Sequence, residues 1–303
     1  MSLFKVPSLI YLIMSVISYI PTIRGKSRTY NLLRSYYLKM GGDPFIKIKF
    51  LRGEIINLDL RSDTEWPMAR DRKHNNIGLE EIFHTIDVNK DIIDVGANIG
   101  AYTIQIASFI KSKNGLGKVY AFEPVKKNFN KLNLNIVENE LDGFVNSYNI
   151  GLSDKTCIKD IVLREDFKQG ADTGNASISI SNKIDANFEK ESINLVSLDD
   201  FIIENMLDLD VGYIKVVTEG HEDFFFKGAS RLILENKPII SFNINPTLLN
   251  ERVDIKDLDM IFPALLPGYS FTYRNARISS LDEKPVISFN DLSDISLITS
   301  YPH

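Results

Sequence analysis

Asp91-Ile92-Ile93-Asp94-Val95-Gly96-Ala97-Asn98-Ile99-Gly100, followed by Val119-Tyr120-Ala121-Phe122-Glu123-Pro124, is the stretch that decides the fold. The first segment reads as a short apolar strand that closes on an acid and runs into a turn built on two glycines. A helical run from Ala101 to Lys111 leads to a second apolar strand, which closes on a second acid. Two adjacent parallel strands with a tight glycine turn form a nucleotide-binding edge, because backbone amides approach a ligand only where no side chain intervenes. A carboxylate at the end of the second strand is placed to accept hydrogen bonds from a ribose diol. The pair therefore points to an adenosine-containing ligand.

The turn discriminates among such ligands. A dinucleotide fingerprint requires G-x-G-x-x-G, with a helix N-terminus aimed at a pyrophosphate. Here the spacing is Gly96-x-Asn98-x-Gly100, and Asp94 stands just before the turn. That carboxylate repels a pyrophosphate and attracts a cationic amino-acid or sulfonium group. No G-x-x-x-x-G-K-[ST] loop occurs. S-adenosyl-L-methionine fits better than NAD. The alternatives are a nicotinamide-dependent dehydrogenase and a purely structural glycine turn in another α/β sheet.

Outward from this edge, strand and helix patterns alternate: a helix over Val125–Asn139, a strand over Phe144–Ile150, a helix over Leu198–Asn205, a strand over Val211–Val217, a helix over Glu222–Leu234 and a strand over Pro238–Ile244. Such alternation implies a parallel sheet covered on both faces. Residues 157–196 interrupt it with polar, glycine-containing sequence and two short strands, Asp160–Leu163 and Ala176–Ile180. The tail offers a helix near Ile255–Phe262 and strands near Tyr269–Tyr273, Val286–Phe289 and Ser296–Ser300, read as antiparallel. Before the core, Ile46–Phe50 and Glu54–Leu60 alternate as a hairpin, and Ile77–Val88 reads as a helix. Trp66 is the sole tryptophan, read as core or rim packing or as a cap over the site. Three parts are expected: an apolar N-terminal helix (1–25), a cap with hairpin and helix (26–90), and a core (91–303) with its insertion.

The 303 residues are 44% hydrophobic and 25% charged, with a net charge of −5. This is ordinary for a globular protein. No long basic block is present, so a nucleic-acid partner is disfavoured, because neutralising phosphates needs a concentrated basic surface. Cys157 is the only cysteine, which excludes an intrachain disulfide and fits a reducing compartment. The four histidines, His74, His84, His221 and His303, lack metal-ligand spacing. Val6 to Ile23 is an uncharged run at the lower limit for a membrane span. Pro21 ends its helix, and Ser8, Tyr11, Ser15, Ser18 and Thr22 give it a polar face. A docked or interfacial helix, an anchor and a signal peptide are its three readings. If it spans, the Arg and Lys that follow place the main part at the cytoplasmic face of a membrane.

Asp94-Val-Gly-Ala-Asn-Ile-Gly100, Ala121-Phe-Glu-Pro124, Ser197-Leu-Asp-Asp200, Ile214-Lys-Val-Val-Thr-Glu-Gly-His-Glu222 and Lys227-Gly-Ala229 resemble the FkbM family of AdoMet-dependent methyltransferases. The resemblance runs over roughly Asp91 to Asn245. It implies a class I methyltransferase fold: a seven-stranded, mostly parallel sheet with helices on both faces and a terminal antiparallel strand. It also implies O-methylation of a hydroxyl on a sugar, glycan, lipid or secondary metabolite. By position, Asp94, Gly96 and Asn98 would line the methionine end of the cofactor, with Gly100 completing the turn, and Glu123 would hold the ribose. Lys215 and Glu219 would face the reaction. The chain departs from the family at Val217 and Asn243, where acids are usual.

Transfer of methyl to an alcohol needs a base as the new bond forms. Glu219 is the first candidate and His221 the second, with an acid at a helix N-terminus and a hydrogen-bonded structural histidine as the bland readings. Lys215 is expected to pair with Glu219, to orient a substrate oxygen, or to sit in a structural ion pair. The competing function is a degenerate cofactor-binding scaffold, motivated by Val217 and Asn243.

Overall fold

The structure, a computed structural model, describes residues 6–21, 23–73, 79–178, 187–244, 258–274 and 295–300. Two helices, α1 (Val6–Ser18) and α2 (Lys26–Lys39), precede an antiparallel hairpin of β1 (Phe45–Lys49) and β2 (Ile55–Asp59). Short helices α3 (Trp66–Asp71) and α4 (Leu79–Thr85) lead into the core. There β3 (Asp91–Val95), α5 (Ala101–Ser112), β4 (Val119–Phe122), α6 (Lys126–Glu138) and β5 (Val145–Tyr148) follow one another as right-sized α/β units.

The chain then leaves this sheet. Asn149 donates its side-chain amide to the carbonyls of Glu123 and Pro124, both at 2.9 Å, which ends β5 two residues short of the expected Ile150. Next come β6 (Gly151–Ser153), β7 (Cys157–Leu163), α7 (Glu165–Lys168), β8 (Ala176–Ile178) and β9 (Lys190–Ser197). These four strands form a second sheet in the order β6-β9-β7-β8. The insertion is thus more regular than its composition suggests. Ile193 and Leu195 alternate inward with Ile161 and Leu163 around Val125, giving the small sheet its own apolar core.

The main sheet resumes with α8 (Leu198–Glu204), β10 (Val211–Val216), α9 (Glu222–Gly228), α10 (Ser230–Asn236) and β11 (Ile239–Ile244). Its parallel strands lie in the order β11-β10-β3-β4-β5. Beyond α11 (Leu258–Leu265), β12 (Ser270–Arg274) and β13 (Ile295–Ser300) extend the β11 edge, each pairing antiparallel. The expected strand at Val286–Phe289 lies outside the described residues. The single helix expected over Glu222–Leu234 is two, because Gly228 passes so close to β6 that a Cβ there would sit 1.9 Å from the Ser153 carbonyl oxygen.

Runs such as Ile92–Val95 and Val119–Phe122 are buried on both faces, as a parallel sheet covered by helices requires. One cluster on the α5 and α6 side extends from Ile10 and Met14 through the hairpin to Tyr213. The cluster on the other side is centred on Phe122, Phe225, Phe226 and Phe242.

Gly100 shows how tightly the first cluster is drawn. It begins α5 at φ +80°, and a Cβ there would meet Leu132 Cδ1 of α6 at 2.3 Å. Gly100→Ala is expected to destabilise the fold by about 2–4 kcal/mol, combining the left-handed backbone penalty with overpacking. Urea unfolding monitored by circular dichroism measures it, and an unchanged midpoint would mean that α5 and α6 separate freely.

Candidate active site

A cavity of about 290 Å³ opens at the carboxyl ends of β3, β4 and β10, where open α/β sheets bind ligands. Its floor is the Gly96–Asn98 turn with Glu123, and its wall includes Lys215, Val217, Thr218, Glu219, His221 and Asn243. Gly96 (φ +71°) and Asn98 (φ 52°) are both left-handed. A Cβ on Gly96 would stand 1.9 Å from the Val217 carbonyl oxygen, so only glycine lets the turn pass the end of β10.

Beneath this floor lies a buried ion pair. Lys215 and Asp94 are register partners across β10 and β3. Lys215 Nζ donates to Asp94 Oδ1 at 2.8 Å and to the Gly96 carbonyl at 2.8 Å. Thr103 Oγ1 donates to Asp94 Oδ2 at 2.5 Å. Asp94 is fully buried and lies behind the cavity wall rather than on it. Of the three readings of Lys215, the buried structural ion pair is the one found, with Asp94 as its partner. Asp94 acts on the site through the turn that it anchors. Removing one member of such a pair costs about 3–5 kcal/mol, because the other charge is left buried alone. Gly100 likewise packs on α6 instead of lining the cavity.

Glu123 is buried at the end of β4. Its Oε2 accepts from the Asn98 N–H at 2.8 Å and its Oε1 from the Val125 N–H at 2.9 Å. Burial pushes this carboxyl up to about 7, although those hydrogen bonds pull it down. Oε1 also accepts from Asn128 Nδ2 at 3.5 Å, so Oε2 is the oxygen with a lone pair for a further donor.

The loop after β10 carries the base candidates. Strand pairing ends at Val216, so the two-residue period that would align Lys215, Val217 and Glu219 does not continue. All three still reach the cavity, because Glu219 turns back in the left-handed region at φ 51°. Glu222, the second acid of the Glu-Gly-x-Glu element, holds this loop. Its Oε1 accepts from the Thr218 N–H (3.3 Å), the Thr218 hydroxyl (3.1 Å) and the Gly220 N–H (3.1 Å). Its Oε2 is buried without a hydrogen-bond partner among the described residues, and burial pushes the carboxyl up to about 7. In the sequence Glu222 closes the family-like segment and opens a helix, with no role of its own. The two acids flanking Gly220 were the signal of a clasp. His221 is buried, stacks on Phe224 with centroids 4.6 Å apart, and shares a 2.9 Å hydrogen bond between Nε2 and Ser153 Oγ.

Two sequence-distant segments roof the cavity. Thr64 and Met68 come from before the core, and Gly174, Asn175 and Ala176 from the insertion. Asn128 on α6 clamps the Gly174 backbone from both sides, accepting at 3.2 Å and donating at 2.9 Å. Asp166 accepts from the Asp63 N–H, the Thr64 hydroxyl and the Asn175 N–H, tying the two segments together. Buried Glu65 accepts from Lys131 and Thr173. Trp66 is absent from the cavity lining and packs at the rim of the core, stacked on buried Tyr30 with Arg34 and Arg70 over its ring. None of the roof's polar residues was singled out in the sequence.

The model of the methyltransferase FkbM domain matches residues 94–273. Among solved structures, a methyltransferase FkbM from Methylobacillus flagellatus KT is similar at 15% identity and TM-score 0.42, covering 96% of this chain and 59% of that one. This chain therefore spans under two thirds of that structure's length. An rRNA methylase from Streptococcus thermophilus is similar at 9% identity and TM-score 0.39, with 75% and 95% covered. The tRNA (uracil-54, C5)-methyltransferase of Pyrococcus abyssi, in complex with S-adenosyl-L-homocysteine, is similar at 15% identity and TM-score 0.40, with 86% and 45% covered. No curated protein sequence matches the chain.

Glu123 and Glu222 both rise from 4.5 towards 7 on folding. The folded state holds their protons more tightly, so their stabilising contribution is complete below pH 4.5 and is lost as pH rises through about 7. Relative to Glu123→Gln and Glu222→Gln, the native chain should lose thermal stability across that window. Melting temperatures measured against pH test this, and parallel profiles would refute it.

Proposed function

The chain belongs to the FkbM methyltransferase family, and from that premise we propose that it is an S-adenosyl-L-methionine-dependent O-methyltransferase acting on a hydroxyl of a sugar, glycan, lipid or secondary metabolite. The observation that carries this reading is Glu123, buried at a strand end beside the Gly96 turn, with a lone pair left on Oε2 for a ribose hydroxyl. The cavity fits the cofactor. Its volume of about 290 Å³ is close to the lower end of small-molecule sites. Leu152, Ile161, Ile193 and Leu195 give it an apolar wall suited to a purine, and Gly96–Asn98 leave room for close backbone approach.

When bound, the cofactor supplies an electrophilic methyl group on a sulfonium. The chain's own part is positioning and proton removal. Glu123 would accept hydrogen bonds from the ribose. The Asp94–Lys215 pair keeps the Gly96 turn in place through the Gly96 carbonyl. Glu219, on the wall and on a loop held by Glu222, would take the acceptor's proton as oxygen–carbon bonding begins. His221 is the less suited base, since its Nε2 already engages Ser153. The roof excludes water from the ligand.

A second reading has a specific observation behind it. Val217 and Asn243 both line the cavity, so two wall positions that carry acids in the family carry none here. A cofactor-binding scaffold without turnover follows from that.

Two measurements separate these readings. Isothermal titration of S-adenosyl-L-homocysteine into the full chain should give micromolar binding, lost in Glu123→Ala. Absence of binding in the native chain would overturn the cofactor assignment. With radiolabelled S-adenosyl-L-methionine and a panel of hydroxyl acceptors, Glu219→Gln should lower kcat roughly 10²–10⁴-fold at unchanged cofactor affinity. Binding without transfer in the native chain would favour the scaffold.

A further inference from the structure

Helix α1 is apolar on the side that faces water. Its inner side seats Ile10, Met14 and Ser18 in the core, while Ser8 at its first turn stays exposed. Arg72, itself buried, donates to Ser18 Oγ at 2.6 Å and to Ser15 Oγ at 3.1 Å. Ser15 and Ser18 of the polar face seen in the sequence are therefore engaged by the protein itself. Outward stand Leu9, Leu12, Ile13 and Val16, at helical spacing and 41–60% exposed. Tyr19, Ile20 and Ile23 continue the exposed set past the helix end. A surface helix of a monomer ordinarily shows water the opposite pattern.

Charge says what covers this face. Residues 1–42 hold six lysines and arginines and no acid, a charge of +6, so the remainder of a chain whose net is −5 carries −11. Lys26 and Arg34 face inward to Asp71 and Asp63. Arg24, Arg28 and Lys39 are exposed. At about 1.5 Å per residue, the 13-residue α1 reaches about 20 Å, short of the roughly 30 Å hydrocarbon core of a bilayer. Among the described residues no helix is long and apolar enough to cross a membrane.

We infer that α1, with the basic residues after it, docks the protein on an anionic lipid bilayer, lying in the interface plane rather than spanning it. The exposed leucines, isoleucines and valine enter the acyl boundary, and Arg24 and Arg28 meet the headgroups. A second copy is the poorer occupant, because a two-fold interface would set one +6 segment against another.

Flotation of the full chain with phosphatidylcholine vesicles, with and without phosphatidylserine, tests this. Binding should require phosphatidylserine and weaken with salt. Leu12→Glu/Val16→Glu should lower it roughly tenfold or more, and Arg24→Glu/Arg28→Glu about fivefold per charge removed. All four side chains are exposed, so the variants should keep the native melting temperature. No flotation of the native chain, or equal flotation of the variants, would overturn the inference. So would a dimer in sedimentation velocity that Leu12→Glu/Val16→Glu converts to monomer.

Discussion

A carboxylate and an ammonium, set opposite each other on two parallel strands and sealed from water, are what the site is arranged around. Burying either charge alone would be prohibitive, so the pair holds only because its remaining valences are filled. Thr103 fills one on Asp94, and the Gly96 carbonyl fills one on Lys215. That second bond gives an ion pair of the core a hand on the cavity floor. It draws the turn against the end of β10, where the Val217 carbonyl leaves no room for a side chain. The cavity keeps its shape because the core cannot relax without separating charges.

Around that floor, backbone amides hold the acids. Glu123 sits in N–H groups from Asn98 and Val125, and Glu222 in those from Thr218 and Gly220. Neither is matched by a cation of its own within hydrogen-bonding distance, which is why burial dominates both. Of the two, Glu123 lines the cavity, while Glu222 shapes it through the loop that it holds. The roof is different in kind. It is an exchange of polar contacts between two segments, with Asn128, Lys131 and Asp166 as the fixed points.

What could be read in the sequence follows from the range of each interaction. Ile92–Val95 and Val119–Phe122 announce themselves by being apolar throughout, and their closing acids locate the site. The destination of Lys215 could not be read, because it depends on the register of β10 against β3, a property of the sheet. Spacing allows Lys215 a partner in Glu219 or in a buried structural ion pair, and pairing sets it against Asp94. β9 was missed because Ile193 and Leu195 stand among Glu191, Ser192 and Asn194, and the alternation reads as polar sequence until β7 supplies a partner. The roof was invisible for the plainest reason: its partners lie far apart along the chain.

That separation bears on how the protein is made. Buried Glu65 finds Lys131 66 residues later and Thr173 108 residues later. Asp59 receives the Asp172 N–H across 113 residues. A chain growing from its amino end exposes Glu65 long before Lys131 and Thr173 emerge, and cannot bury it unpaired, whereas Asp59 has Arg61 two residues away. The roof segment around Glu65 must therefore stay solvated until the insertion has been synthesised, whereas α1 finds its polar partner Arg72 within the first 72 residues. Closing the roof is a late and slow event of folding, since contacts of such long range carry the largest loop-closure cost. The newborn chain thus passes through a period in which its greasiest helix is available before its cavity exists.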